Sequence, residues 1–312
     1  MYLPFLRGKQ YELLALRELS TLPLDFSKIS PIIEPVKKEL KSIATAIKIM
    51  DKLGVIVQLV VNPEHGDLKK SNDQIFDFIE QMSSDGHENI LPTYLISNER
   101  DFTFLKVNGE ARDHFNTGYS LIHLNQISSA NDLKALVNST EIRFNIIHVN
   151  HLIALRRGYT NGTLGFLSDP FVKQKRNVDY EDLEDEIFSS DYFHYKNEGF
   201  SVFSDYLSIG AGFMEGGMLP YAVVIHLTYK DEHSDDIRIK HFLSDSNEDA
   251  SDTAGKFGEA LTKLVTFIDE EHIHTIASEH FRDYHNRGAF PGLGMLKKLS
   301  IMHHIELIQS LI

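Results

Sequence analysis

Short apolar, β-branched runs alternate with amphipathic stretches along most of this chain. Eight such runs can be marked: Tyr2–Leu6, Ile29–Val36, Gly54–Val61, Ile90–Ile96, Tyr119–Leu124, Arg143–Val149, Thr163–Leu167 and Phe200–Leu207. Several are almost continuously apolar, as in VIVQLVV ending at Val61. That is the pattern of a strand buried on both faces, usually parallel to its neighbours and covered by helices. The stretches between them carry helical signals. Lys37–Leu53 sets Leu40, Ile43, Ile47, Met50 and Leu53 on one side, with Gly54 as its stop. Ser71 or Asn72 can cap a helix that buries Ile75, Phe76, Phe78, Ile79 and Met82. Ser129 can cap another, with Leu133, Leu136 and Val137 apolar, and a first helix starts near Lys9 with Leu13, Leu16 and Leu19 inward. A strand–helix unit of roughly 30 residues, repeated, is the grammar of parallel βαβ proteins. Eight units predict closure into a (β/α)8 barrel; an open doubly wound α/β sheet has the same local signature and is the alternative.

The rhythm breaks after Leu207. The glycine-rich IGAGFMEGGMLP reads as a loop, and Ala222–Tyr229 with Ile237–Leu243 reads as a β-hairpin across the acidic turn KDEHSDD. Ser251–Glu270 spaces Phe257, Leu261, Leu264, Val265 and Ile268 as a helix does, and a last helix covers Leu296–Leu311 after the breaker GAFPGLG. The expected organisation is one α/β domain over 1–312, with a barrel core of about 1–210 and an added hairpin and helices over 211–312.

Composition narrows the setting. A chain of 312 residues, 42% hydrophobic, can bury a core without disulfide or metal staples. With no cysteine there is no disulfide, zinc-thiolate site or Cys nucleophile, which fits a reducing, cytoplasmic compartment. The opening MYLPFLRGKQ has no signal-peptide core, and no stretch of about 18 apolar residues suggests a membrane span. A net charge of −14 disfavours general duplex nucleic-acid binding, which needs clustered Lys and Arg. The densest acidic runs, Asp179–Glu186 and Lys230–Asp236, are expected on solvated surface.

Candidate chemistry follows from the fold. GxSxG, Walker A and GxGxxG signatures are all missing. In parallel α/β proteins ligands bind at the carboxyl ends of the strands. There stand Arg7 and Lys9 about a glycine, Glu34, Asn62, Asn125, His148 with Asn150, Asp169 and Asp205. Arg7 and Lys9 suit an anionic group. Glu34, Asp169 and Asp205 suit acid–base work or a divalent cation, Mg²⁺ or Mn²⁺. The bland alternative is that Asn, Asp and Pro punctuate strand-to-loop junctions anyway. Gly292-Leu293-Gly294 and the basic run Lys173–Asn177 are lesser candidates, read first as ordinary loops. Of 16 histidines, the His272/His274 and His303/His304 groups lack metal-motif spacing and read as surface or packing. His226 and His241 alternate with apolar residues on the expected hairpin and would share one side of it.

The opening YLPFLRGKQYELLALREL with ISPIIEPV resembles the start of the Beta protein family of bacteria and phages, named for a phage protein. The resemblance continues through DPFVKQKRNVDY, FSDYLSIG, PYAVVIHLTY and FPGLGMLKKLSIMHHIEL, and so runs over essentially the whole chain. It brings no established catalytic residues. It implies a setting of phage–host conflict or mobile elements, and a protein partner encoded beside the gene. The family's recurring positions correspond to Arg7, Lys9, Glu12, Glu34, Asp169, Arg176, Asp205 and His226.

Two readings of function follow. In the first, a phosphorylated or nucleotide-like ligand sits in the strand-end mouth, held by Arg7, Lys9, Asn62, Arg176 and His226. Glu34, Asp169 and Asp205 then bind a metal or cleave a phosphoester. In the second the protein is a non-catalytic component, and the loop carrying Phe213, Met214 and Met218 binds a protein partner.

Overall fold

The computed structural model describes residues 1–69, 72–214, 216 and 220–312. The expected cap Ser71 and the contact residue Met218 lie outside the described residues. The chain divides into two compact units: Met1–Leu13, Ser20–Ser168 and His194–Asp205 form the first, and Leu14–Leu19, Asp169–Phe193 and Tyr206–Ile312 form the second.

The first unit is a closed barrel of eight parallel strands. Its strands are β1 (Tyr2–Leu6), β2 (Ile32–Ile33), β3 (Val57–Val60), β4 (Ile90–Ile96), β5 (Tyr119–His123), β6 (Ile142–His148), β7 (Thr163–Ser168) and β9 (Val202–Asp205). The intervening β8 (Asp185–Ser189) belongs to the second unit. Between the barrel strands run α2 (Lys41–Asp51), α3 (Asn72–Ser84), α4 (Glu99–Ala111), α5 (His114–Thr117), α6 (Ala130–Asn138) and α7 (Leu152–Leu155). The barrel, rather than the open sheet, is the answer to the βαβ rhythm.

The strand register fixes which way each side chain points. Leu6 pairs Ile33, Ile33 pairs Leu59, Leu59 pairs Pro92, and Pro4 pairs Asp205. Tyr94, two residues on from Pro92, packs its ring against Phe104 of α4 and His114 of α5. This whole set therefore faces the helices, because side chains alternate with a period of two. The opposite set, with Leu3, Phe5, Ile32, Gln58 and Thr93, fills the barrel interior.

Some expected boundaries move for visible reasons. The second helix starts at Lys41 rather than Lys37, because the backbone ahead of it serves loops: Val36 O accepts from Asp67 N and Lys38 O from the Gln74 amide. Leu53 lies past its end and is exposed. Ser129 sits at the start of α6, but its side chain caps nothing; its own N–H donates to Glu99. Asp179–Glu186 is solvated in part: Glu181, Asp182 and Glu184 are exposed as expected, but the run also holds packed positions. Tyr180 within it is buried, and its last two residues open β8.

The second unit has a three-stranded antiparallel sheet in the order β10 (Val224–Lys230), β11 (Ile237–Leu243), β8, so the expected hairpin gains a third strand. It also has α9 (Thr253–Glu270), α10 (Ile276–Arg287) and α11 (Leu293–Leu311). The remaining α-helices are α1 (Gln10–Leu19), which the two units share, and α8 (Asp191–His194). Leu13, Leu16 and Leu19 of α1 are buried as the spacing predicts. His303 and His304 fasten α11 to the sheet. His303 Nε2 lies 2.6 Å from the Thr228 carbonyl and its Nδ1 2.9 Å from Thr275 Oγ1, while His304 Nδ1 lies 2.9 Å from Thr228 Oγ1. Burial pushes the His303 pKa down to about 4, so the ring is neutral and packs as a core group. Among the described residues no helix is long and apolar enough to cross a membrane.

Gly165 shows how tightly the barrel closes. A Cβ there would meet Val202 Cγ2 at 2.3 Å and Val202 O at 2.9 Å. Gly165→Ala should lower stability by about 1–3 kcal/mol, as overpacking does. Equilibrium denaturation of this variant, of Val202→Ala and of the double variant checks it: the two losses should be less than additive, because the nearest clash is with the valine side chain.

Candidate active site

β1, β2 and β3 are consecutive neighbours in the barrel, so the loops that leave their carboxyl ends meet. Arg7 follows β1, Glu34 follows β2, and Asn62 to His65 follow β3. Glu34 is 1% exposed and Arg7 6%. A carboxylate taken out of water needs donors for its lone pairs, and Glu34 receives them from two loops. Arg7 Nε donates to Oε2 at 2.9 Å. The backbone N–H groups of Glu64 and His65 donate to Oε1 at 2.8 and 3.1 Å, and His65 Nδ1 lies 3.0 Å from the same oxygen. Burial works to raise the Glu34 pKa, but the His65 hydrogen bond and the Arg7 guanidinium outweigh it and hold the carboxyl below its usual range.

Two glycines let the loops come this close. Gly8 has φ +60°, and the turn it makes aims the Arg7 N–H at Glu12 Oε2, 2.6 Å away, with Lys9 N 3.4 Å from the same atom. Gly66 has φ +76°, and a Cβ on it would lie 2.0 Å from the Val36 carbonyl oxygen. Only glycine lets the β3 loop dock on the β2 loop and deliver His65 to Glu34.

His65 is the functional candidate that strand-end reading missed. An ionised carboxylate can only accept, so His65 Nδ1 carries the proton and Nε2 is the basic atom of the neutral ring. The ring, 32% exposed, forms part of the wall of a cleft of about 470 Å³ lined also by Asn62, Lys69, Asn72, Arg100 and Phe104. Most polar groups there are already committed within the protein. Asn62 exchanges both of its hydrogen bonds with the Leu95 backbone. Glu64 is held by Ser97, and Asp101 caps the start of α4 with Asn98. Lys69 and Arg100 are exposed, and neither side chain has an ion pair among the described residues. Asn72 Oδ1 is buried without a partner. The signal in the sequence was a histidine just past a strand end, NPEHG, but the proline and glycine make it look like plain turn chemistry.

The other candidates distribute as follows. Asp205 requires a correction: it lies on the helix-facing side of the barrel with Pro4, away from the interior face. Its carboxylate accepts from Tyr2 Oη at 2.6 Å, and burial together with Asp205 raises the Tyr2 pKa well above its usual value. Asp205 does end β9, as expected, but alternation along the strand turns its side chain away from the interior. Asp169 belongs to the second unit, where it accepts from Ala211 N at 3.1 Å. Arg176, also in the second unit, is exposed and clasps Asp179 through Nε at 3.0 Å. His226 pairs with His241 across the hairpin. His148 takes the Asn150 N–H at 3.3 Å, and burial lowers its pKa. Among the described residues no group of three or more His, Asp or Glu is placed to hold a metal ion.

Compared with protein-family models, with curated proteins and with solved structures, the chain matches none.

Glu34→Gln removes the charge that Arg7 and His65 share. Breaking one partner of a buried ion pair should cost about 3–5 kcal/mol at neutral pH. Because the carboxyl titrates below its usual range when folded, its contribution is present above the ordinary glutamate pKa and is lost as pH falls through the folded value. Urea denaturation of both proteins from pH 7 to 3 should show the gap narrowing at the acid end.

Proposed function

We propose that the barrel unit binds a phosphate-bearing small molecule in the cleft beside His65, and that His65, oriented by Glu34, transfers a proton there. The observation that carries this reading is the one carboxylate that grips Arg7 and His65 together and sets the histidine's tautomer. Arg7 cancels the charge of Glu34, and Lys69 and Arg100 balance Glu64 and Asp101 on the cleft wall, so the cleft carries none of the chain's net negative charge and offers two exposed cations to an anion. Ligand sites at strand carboxyl ends are the rule for such barrels. The chemistry that fits is hydrolysis of a phosphoester. His65 Nε2 takes a proton from water as the water oxygen bonds to phosphorus. The P–O bond to the leaving alcohol breaks, and the imidazolium returns the proton to the departing oxygen. Both Glu34 oxygens are committed to donors, so Mg²⁺ or Mn²⁺ enters this reading as a counter-ion of the ligand's phosphate.

A partner-binding reading draws on a different observation. Val172, Met214 and Tyr221 of the second unit are all more than half exposed, while Phe213 is half-buried. Such apolar exposure suits a protein contact, in keeping with the partner that the family resemblance implies.

Thermal unfolding with inorganic phosphate, sugar phosphates and nucleotides, with and without Mg²⁺, tests the first reading. A ligand at a hundred times its Kd stabilises by about 2.7 kcal/mol, enough to raise Tm by a few degrees. A Lys69→Ala/Arg100→Ala variant should lose the rise. His65→Asn should keep it but lose about 10²–10⁴-fold in turnover of any phosphoester found to be cleaved. No rise with any of these compounds would sink the reading.

A further inference from the structure

The second unit contains a histidine pair that the barrel chemistry does not use. His226 on β10 and His241 on β11 are direct partners in the hairpin register. Their Nδ1 atoms lie 2.7 Å apart, with ring centroids 4.7 Å apart and planes at 84°. Two lone pairs cannot face each other at that distance, nor can two N–H groups. One nitrogen must carry a proton and the other must not.

Glu186 on β8 decides which. His241 Nε2 lies 3.1 Å from Glu186 Oε1. An ionised carboxylate only accepts, so His241 carries its proton on Nε2 and offers the lone pair of Nδ1. His226 must then donate through Nδ1, and His226 Nε2 becomes the basic atom of the array. Three adjacent strands hold the three groups, so the sheet itself sets the geometry. Aromatic rings enclose it: Phe171 and Tyr180 stand edge-on to His226 at 5.0 and 4.7 Å, and Tyr180 lies 4.5 Å from His241. From α11, Ser300 Oγ donates to the His226 carbonyl at 2.8 Å.

We propose that Glu186, His241 and His226 form a proton relay that makes the second unit acid-sensitive. In its neutral form the relay helps lock the sheet against α11 and the Tyr180 segment; a proton added at His226 Nε2 loosens that packing. The charged and titratable groups about the pair are few. Glu186 and Asp185 come from β8, and Lys173 and Tyr180 from the segment before it. Asp185 is itself paired with Arg238 of β11 at 2.9 Å, and Lys240 of β11 with Glu184 at 3.0 Å. Burial, then His241, then Lys173 push the His226 pKa well below the usual histidine value of 6.5. Burial also lowers that of His241, opposed by Glu186. The sign follows. A histidine neutral when folded and charged when unfolded contributes stability that is full above pH 6.5 and is lost as pH falls toward its folded pKa.

The substitutions should act in opposite directions. Glu186→Gln keeps an acceptor oxygen but removes the charge that favours a protonated pair, so the acid loss, which still begins near pH 6.5, should be deeper and run on to lower pH. Lys173→Met removes a repelling cation from an exposed position, so the loss should be smaller than in the wild type. The experiment has two arms, both on the full chain. The ¹⁵N shifts and couplings of the imidazoles at pH 7.5 should show His226 protonated on Nδ1 and His241 on Nε2. Unfolding midpoints from pH 7.5 to 5 should then fall most steeply for Glu186→Gln and least for Lys173→Met. The reverse tautomers, or parallel pH curves for all three proteins, would overturn the proposal. If Glu186→Gln does not fold, the tautomers and the surface variant Lys173→Met still decide it.

Discussion

The buried carboxylate of Glu34 is the constraint on which the barrel's working end depends. Moving a carboxylate out of water costs several kcal/mol even after relaxation, and only close, charge-assisted donors offset that. Those donors are Arg7 from the loop after β1, and the His65 ring with two backbone amides from the loop after β3. Three successive loops are therefore joined at one point. The join explains local choices that have no other evident use. Gly66 must lack a side chain because the Val36 carbonyl occupies the space. Glu12 must reach back from the first turn of α1 to the Arg7 amide, which fixes where the guanidinium leaves the chain.

How much of this could be read beforehand depended on whether the signal was a pattern or a contact. Strands such as VIVQLVV are buried on both faces, and continuous apolarity is hard to mistake, so the barrel was legible. β8 was not. DEIFS opens with two acids, and only the structure supplies their partners: Arg238 for Asp185 and His241 for Glu186. Acidic residues paired across a sheet look the same in sequence as acidic residues in water. α10 was hidden for a related reason. IASEHFRDYHNR buries only Ala277, Ser278 and Phe281, too few positions to show a helical period. At the site, Arg7 and Glu34 were legible because they follow strands directly. His65 stands five residues beyond the end of β3, and its role comes from a loop-to-loop contact that no local spacing encodes. Asp205 failed in the opposite way, since it does end a strand but on the outward face.

The histidines show that the partner, more than the residue, sets the role. His123 lies 2.8 Å from Asn145 Oδ1, and burial lowers its pKa to about 4. His114 sits 2.7 Å from Tyr94 Oη and is also lowered to about 4 by burial. With His303, these rings meet neutral groups and behave as packing residues with fixed hydrogen bonds. His65 and His241 differ because each meets a carboxylate. A carboxylate selects one tautomer and stabilises the imidazolium, which is how side chains are prepared to move protons.

The Glu34–His65 and Glu186–His241 pairs are not equivalent, and the difference lies in what else each carboxylate holds. Glu186 has His241 as its ion-pair partner, so a proton on the histidine array meets a full negative charge. Glu34 is already paired with Arg7 at 2.9 Å, so a proton on His65 would leave the trio net positive. That arrangement gains most when an anion is present to balance it. The cations nearest on the cleft wall, Lys69 and Arg100, add to the same field. The same wall carries Glu64 and Asp101, so Lys69 and Arg100 leave it balanced, unlike the acidic chain as a whole, until His65 takes up a proton. In the reading proposed above, the negative charge that balances a protonated His65 comes from a phosphate-bearing ligand.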